Sequence, residues 1–102
     1  MERFLDSLTG KQVQKVGWVL RLITETGLAP AQYFKKLAGT EQIWEVRAGI
    51  DGDAFRLLGF FDGPYTLVLT NGFMKKSRAL PRREITIAER RRREYFARKG
   101  EG

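Results

Sequence analysis

The middle of the chain carries a strand-like alternation of apolar residues with polar or small ones. It is clearest in residues 44–50, WEVRAGI, and two further apolar runs follow at residues 54–61 and from residue 65 to about 73. Turn-forming residues separate the runs at 51–53, DGD, and at 62–64, DGP. Because the connections are short, the pattern predicts an antiparallel meander of about three strands.

Helical spacing comes before the meander. Residues 2–8 are typical of a short helix, and Thr9 is placed to cap a second one at its N-terminus. In this second helix, apolar residues recur at a spacing of three or four, and Trp18 and Leu22 widen the apolar face. Gly27 is suited to end the helix in a left-handed conformation. The recurring positions are Val13, Val16, Leu20 and Ile23.

A last helix is predicted after the meander, with Pro81 in its first turn. Its apolar stripe packs Ile85 and Ala88 inward and continues through Arg92, Tyr95 and Phe96. Most of the arginine run at 90–93 is expected in solvent. The pattern therefore predicts an α+β fold, in which helices, an antiparallel meander and a C-terminal helix follow in that order and the helices pack on one sheet face.

The length of 102 residues is typical of one domain spanning the whole chain, 1–102. With no cysteine and no histidine, the chain has no thiolate nucleophile, no disulfide and no histidine base or metal ligand. We expect no cofactor and no metal, since the turn-forming role of Asp51, Asp53 and Asp62 accounts for those acids. No apolar run approaches the roughly 20 residues of a membrane span, and we expect a cytoplasmic protein.

The positive charge is concentrated in the last third of the chain. Residues 1–70 hold eight basic and eight acidic side chains, whereas residues 71–102 hold eleven basic and four acidic ones, so the latter carry the entire net charge of +7. This asymmetry favours a polyanionic partner such as RNA or the ribosome. A membrane surface and a helix that is basic only for solubility are the alternatives. The residues expected to contact RNA or the ribosome are Arg78, Arg82, Arg83, Arg90, Arg91 and Arg93.

Two strand arginines are candidates for phosphate chemistry. Arg47 and Arg56 each lie between apolar neighbours, so both point away from the core, and neighbouring antiparallel strands bring them together. Lys75 and Lys76 follow the third strand in a predicted loop. Together these residues form a candidate cationic cleft that grips a phosphodiester. The alternative is that Glu45 or another acid simply bridges the arginines.

Aromatic residues supply fewer candidates. Tyr95, and less so Tyr65, can stack on a base, although a core position is the commoner role. Trp18 and Trp44 are expected in the core.

Four segments resemble phage-derived HigB-like toxins of the RelE/ParE superfamily in order and spacing. These segments cover most of the chain, from about residue 2 to residue 96. They are Ile43–Arg47 (IWEVR), Phe55–Leu58 (FRLL), Leu69–Lys76 (LTNGFMKK), and Pro81–Ile85 (PRREI) with Ala88.

The resemblance implies a microbial-RNase-like α+β fold, a helix-turn-helix antitoxin of the HigA type as partner, and ribosome-dependent cleavage of mRNA. It places Arg47, Arg56, Lys75 and Lys76 at the basic positions of the family motif and Tyr95 near a functional aromatic. The implied reaction uses no metal. The ribose 2′-hydroxyl attacks the adjacent phosphate and gives a 2′,3′-cyclic phosphate and a free 5′-hydroxyl.

Two departures from the family pattern keep alternatives open. The sequence predicts no counterpart of the N-terminal β-strand of such toxins, and its loss would expose a sheet edge. The histidines that act in some HigB toxins are also missing. The alternatives are a ParE-type toxin that poisons gyrase and a non-catalytic remnant of a phage or mobile element that only binds an antitoxin.

Overall fold

The computed structural model describes residues 8–26, 32–50, 53–64, 66–76 and 79–101. Several sequence-based expectations lie wholly or mainly outside these ranges: the helix over residues 2–8, the expectation about an N-terminal strand, the Gly27 cap, Tyr65 and Arg78. Six elements follow one another along the described chain. They are α1 (Gly10–Thr26), β1 (Phe34–Lys36), β2 (Trp44–Ile50), β3 (Asp53–Asp62), β4 (Thr66–Lys75) and α2 (Arg82–Glu101).

The strands form one antiparallel sheet in the order β1-β2-β3-β4. This confirms the predicted α+β class and the meander of β2, β3 and β4. The sheet has a fourth strand, β1, which sequence reasoning did not predict, since three residues are too short for alternation to stand out. β4 also runs on to Lys75, so Met74 and Lys75 belong to the strand and not to a loop.

Helix α1 begins as the sequence predicted. The Thr9 backbone N–H donates to Gln12 Oε1 at 2.8 Å, and the Gln12 N–H donates to Thr9 Oγ1 at 3.3 Å, which is a reciprocal capping box. The inner face of α1 then buries Val16, Val19 and Ile23. These residues pack against one face of the sheet, at Val46, Ala48, Phe55 and Leu57.

Helix α2 packs on the other face of the sheet, and the expectation of helices on a single face was wrong. Ala88 is buried with Ile43 and Leu58, and Ile85 packs against the same cluster. Side chains alternate between faces along a strand, so Leu58 lies opposite Leu57, which contacts α1. The apolar run 57–61 places large side chains on both faces, which is why each face needs a helix to cover it.

The core assignment of Trp18 was also wrong. Its side chain is 47% exposed on the outside of α1. Its ring packs edge-on against Tyr33 at 5.4 Å, and Lys15 Nζ lies 4.5 Å from its centroid. Trp44 is half-buried and stacks on Phe34, with the ring centroids 4.7 Å apart.

A bulge interrupts the pairing of β3 with β4 at Leu58/Gly59. Gly59 is needed here because an added Cβ would lie 2.6 Å from the Val68 carbonyl oxygen. The residue on the bulged strand is Thr70, which lies between the positions paired with Leu58 and Gly59.

Pro81 precedes α2, and its carbonyl accepts hydrogen bonds from the N–H groups of Glu84 at 3.0 Å and Ile85 at 3.4 Å. This confirms the predicted start of the helix within one residue. Neither described helix combines the length and the apolar character that crossing a membrane requires.

Candidate nucleic-acid interface

Arg47 and Arg56 are brought together by the register of the sheet. Arg47 on β2 pairs directly with Arg56 on β3, and Phe73 on β4 completes this row. Residues directly opposite one another project from the same face. Both arginines therefore lie on the α2 side of the sheet, away from the core under α1, as alternation predicted.

Glu45 is an acid in contact with both arginines. It is fully buried, at 0% exposure, and its Oε1 accepts a hydrogen bond from Arg47 Nε at 2.6 Å. Its Oε2 lies 3.3 Å from Arg56 Nε, an ion pair in which neither atom has a hydrogen-bond partner among the described residues. The anion between the two arginines is thus an internal carboxylate, the alternative that the sequence left open.

The arginine side chains differ in exposure. Arg47 is 34% exposed, whereas Arg56 is 12% exposed and donates from Nη1 to the Phe55 carbonyl at 3.0 Å. Burial lowers the pKa of Arg56, and the Coulombic attraction of Glu45 opposes that effect. Arg56 is therefore less accessible to a ligand than its place on an alternating strand suggested.

Lys75 lies one row further along this face. It pairs with Ala54, which in turn pairs with Gly49. Lys75 is the diagonal neighbour of Arg56, a relationship that places Cα atoms about 7–8 Å apart. Because Gly49 and Ala54 carry no long side chain, Lys75 alone contributes a long side chain to this row of three paired residues. Lys76 follows the last residue of β4 and is exposed.

The first turn of α2 is held to β4 by buried polar groups. Asn71 Nδ2 donates to the Glu84 carbonyl at 3.2 Å and to Glu84 Oε1 at 3.0 Å. Thr70 Oγ1 donates to Asn71 Oδ1 at 2.6 Å. Asn71 shares a row with Leu58 and Glu45, the row next to the arginines. The first turn of α2 is therefore anchored beside the arginine row, and Phe73 of that row packs on the same cluster as Ile85 and Ala88 of α2.

Tyr95 does not belong to this cluster. Its ring packs on Phe60, with centroids 5.2 Å apart, and its hydroxyl donates to Asp62 Oδ2 at 2.6 Å. Asp62 lies six residues beyond Arg56 on β3, a separation of about 20 Å at 3.3 Å per residue. The structure thus separates Tyr95 from the arginines with which the sequence grouped it.

Asp62 has a role that the sequence did not reveal, because its place in the turn at residues 62–64 is a sufficient explanation for an aspartate there. It binds Lys99 Nζ at 2.6 Å as well as the Tyr95 hydroxyl. The bond from Lys99, and then that from Tyr95, lowers the pKa of Asp62. The same bonds to Asp62 raise the pKa of Tyr95 and the pKa of Lys99.

A cleft of about 260 Å³ lies beside Tyr95, between β4 and α2. Phe60 and Leu69 contribute apolar surface to its lining, and Arg91 and Arg98 contribute charge. The Arg91 guanidinium is already engaged, since Nη1 donates to the Thr70 carbonyl.

The remaining basic candidates on α2 are distributed around the helix. Arg82 and Arg83 are exposed in its first turn. Arg90 Nε lies 3.9 Å from Glu94 Oε1, and Arg93 Nη1 donates to Glu41 Oε1 at 2.6 Å. Arg90, Arg91 and Arg93 are exposed as predicted, whereas Arg92 is partly buried, with its guanidinium carbon 5.1 Å from the centre of the Phe96 ring.

Glu45 is the residue of this site that sequence reasoning undervalued. Its position two residues before Arg47 was a usable signal, because residues i and i+2 of a strand share a face. Its complete burial was not readable from the strand alone, since it requires the packing of α2 on that face. Within the ranges described, no three acidic side chains come together in a way that would hold a metal ion.

Comparison of the sequence with known protein families identifies a family to which the chain is similar. The family model described as phage derived protein Gp49-like (DUF891) matches residues 3–93. No curated protein and no solved structure matches the chain.

Proposed function

Because the chain belongs to the Gp49-like family of phage-derived proteins, a family of RelE/HigB-like toxin type, we propose that it is the toxin of a type II toxin–antitoxin pair. In this proposal it is a HigB-like endoribonuclease, or mRNA interferase, that cleaves mRNA on the ribosome in the cytoplasm and so inhibits translation. The observation that carries the proposal is the direct pairing of Arg47 with Arg56 on the α2 side of the sheet, with Lys75 one row further along the same face.

The proposed reaction is a transesterification within the RNA. The ribose 2′-oxygen attacks the neighbouring phosphorus, and the bond from phosphorus to the 5′-oxygen breaks. A lysine of the Lys75–Lys76 pair takes the 2′-hydroxyl proton, and the other lysine protonates the departing 5′-oxygen. Arg47 and Arg56 stabilise the extra negative charge on the phosphorane, since guanidinium groups keep their positive charge and match phosphate geometry.

The ribosome supplies what this sparse site lacks. Fixing the mRNA so that the 2′-oxygen is in line with the breaking bond removes a large entropic part of the barrier. Arg82, Arg83, Arg90 and Arg93 are exposed on α2 and face outward for contact with ribosomal RNA, a contribution that Arg78 is proposed to share. We assign Tyr95 to RNA binding at the far end of the face, because it lies too far from Arg56 to touch the same phosphate.

The proposed protein partner is a HigA-like helix-turn-helix antitoxin that neutralises the cationic face with acidic or apolar side chains. Co-expression of the adjacent gene is expected to relieve growth arrest by this protein. Arrest that the adjacent gene does not relieve would contradict the pairing.

A second candidate function is antitoxin binding without catalysis. The observation that favours it is the position of Glu45, which already partners both arginines. Incubation of the protein with programmed ribosomes separates the two functions. RNase activity gives mRNA fragments ending in 2′,3′-cyclic phosphate, whereas a binding module leaves the mRNA intact. A ParE-type gyrase poison would instead leave the mRNA intact and trap gyrase on cleaved DNA.

A further inference from the structure

Glu45 is an unusual residue to find with no exposed surface. Taking a carboxylate out of water costs several kcal/mol unless close partners compensate. Here two partners do so, with Arg47 Nε at 2.6 Å and Arg56 Nε at 3.3 Å. Two guanidiniums and one carboxylate leave the cluster with a net charge of +1.

Both arginines contact Glu45 through the same atom, Nε, which is the guanidinium nitrogen attached to the aliphatic part of the side chain. The terminal Nη groups of Arg47 make no hydrogen bond within the described part of the chain, and Arg47 is the more exposed of the pair. A guanidinium is planar and rigid, so the hydrogen bond at Arg47 Nε fixes the orientation of that whole group, and the ion pair at Arg56 Nε restrains the second one. The Nη donors of Arg47 then stay available to a phosphate, whereas Arg56, which is 12% exposed, already donates from Nη1 to the Phe55 carbonyl and has Nη2 left for a ligand.

Stability alone is a weak explanation for such an arrangement. Buried ion pairs are often no more stabilising than apolar side chains of similar size. The same carboxylate also lowers the positive potential where RNA would bind. A residue that weakens attraction for the ligand, yet holds both ligand-binding groups, fits a role in orientation.

We propose that Glu45 is a positioning residue, which holds Arg47 and Arg56 by their Nε atoms so that the pair presents a preformed receptor for one phosphate group. The assignment of that phosphate to the scissile position of mRNA rests on the proposed function. The phosphate receptor itself does not depend on the proposed function, and binding of inorganic phosphate is sufficient to test it.

The first test is a phosphate titration followed by NMR of the arginine Nε–Hε signals. In the wild-type protein, inorganic phosphate is expected to shift the signals of Arg47 and Arg56 together. Glu45→Gln adds one unit of positive charge to the cluster, so electrostatics alone would tighten phosphate binding. The positioning role predicts the opposite sign, a loss of affinity of about tenfold or more. Equal or tighter binding by the variant overturns the proposal.

Glu45→Asp keeps the negative charge and is the variant for the phosphate titration if Glu45→Gln does not fold. The shorter side chain withdraws the carboxylate from both Nε atoms, so the affinity for phosphate is expected to fall in this variant also. Phosphate affinity equal to wild type would overturn the proposal. Glu25→Gln, an exposed change on α1 with the same loss of one negative charge, is the matched control and is expected to bind phosphate as wild type does.

The second test uses ribosome-bound mRNA and separates binding from chemistry. Glu45→Gln is expected to lower the single-turnover cleavage rate by tenfold or more while ribosome affinity stays equal or rises. Cleavage at the wild-type rate would overturn the positioning role. If the wild type itself does not cut, the proposed RNase function fails, and the phosphate titration still decides on Glu45.

Discussion

Arg47 and Arg56 face each other across neighbouring antiparallel strands, on the sheet face opposite α1. Like charges at directly opposed positions repel, and in this protein the buried carboxylate of Glu45 lies against both. The arrangement links stability and proposed activity, because the groups that would bind RNA are also the groups that keep Glu45 paired.

Arg56→Ala is expected to destabilise the protein, contrary to what its place on an alternating strand suggests. Removing this 12% exposed side chain takes one of two partners from a fully buried carboxylate. The loss is expected to be on the order of 1–3 kcal/mol, since Arg47 still pairs with Glu45. Urea denaturation measures it. Arg21→Ala, an exposed change on α1, is the control, and equal stability of the two variants would contradict the account.

Gly59→Ala tests the close approach at the bulge. The added Cβ would lie 2.6 Å from the Val68 carbonyl oxygen, which is backbone and has little freedom to move. We expect a loss of roughly 1–3 kcal/mol in the free energy of unfolding. Gly17→Ala provides the contrast, since Gly17 is an exposed residue of α1 and nothing lies within 4 Å of the position of an added Cβ. There the change is expected to stabilise by up to about 1 kcal/mol, and a similar sign at both positions would refute the bulge argument.

Asp62→Asn is expected to lower the pKa of Tyr95. The phenol of Tyr95 now donates to a carboxylate, which favours the protonated form and raises its pKa. Absorbance of tyrosinate during a pH titration measures the change, and Tyr95→Phe identifies the signal. An unchanged Tyr95 pKa in the Asp62→Asn variant would contradict the hydrogen bond.

The same cluster predicts how stability varies with pH. The pKa of Asp62 is lowered by folding, so its contribution is present above the unfolded pKa and is lost as pH falls through the folded value. The pKa of Lys99 and the pKa of Tyr95 are raised, so their contributions are present below the unfolded values and are lost as pH rises through the folded ones. Asp62→Asn should therefore flatten the stability profile at both extremes, as thermal melts across pH will show. A variant profile parallel to that of wild type would refute this.

Much of the fold followed from local pattern. Alternation located β2, β3 and β4, and Thr9 identified the start of α1. The apolar run 57–61 indicates that both sheet faces are covered, and this indication was overlooked. A strand with one exposed face would have alternated between apolar and polar residues. β1 was too short to show a period.

The candidate site was predictable only in part. The pairing of Arg47 with Arg56 needed strand register, which the short turn between the strands constrains. The separation of Tyr95 from that pair depends on where α2 docks along β3, and the periodicity of a helix says which face is apolar but not where it lies on a sheet. The burial of Glu45 and the roles of Asp62 arise from the same docking.

Salt dependence tests the basic surface of α2. Affinity for ribosomes is expected to fall as salt rises, because cation–phosphate contacts release counterions. Arg90→Ala is expected to reduce the slope, since the nearest acid to its guanidinium, Glu94, is 3.9 Å away. Arg91→Ala should also reduce affinity but loosen α2 on β4, because Arg91 donates to the Thr70 carbonyl. Affinity that is independent of salt would assign the basic helix to solubility alone.

Primer extension on programmed ribosomes tests the central claim most directly. Wild type, Arg47→Ala and Lys75→Ala are compared at matched folded concentrations, with Arg21→Ala and Lys36→Ala as controls that remove the same charges from α1 and from the edge strand β1. The account predicts cleavage by wild type and by both controls, insensitive to EDTA once ribosome integrity is controlled. It predicts rates lower by on the order of a hundredfold for Arg47→Ala and Lys75→Ala. Intact mRNA with wild type, or equal rates for all five proteins, would contradict it.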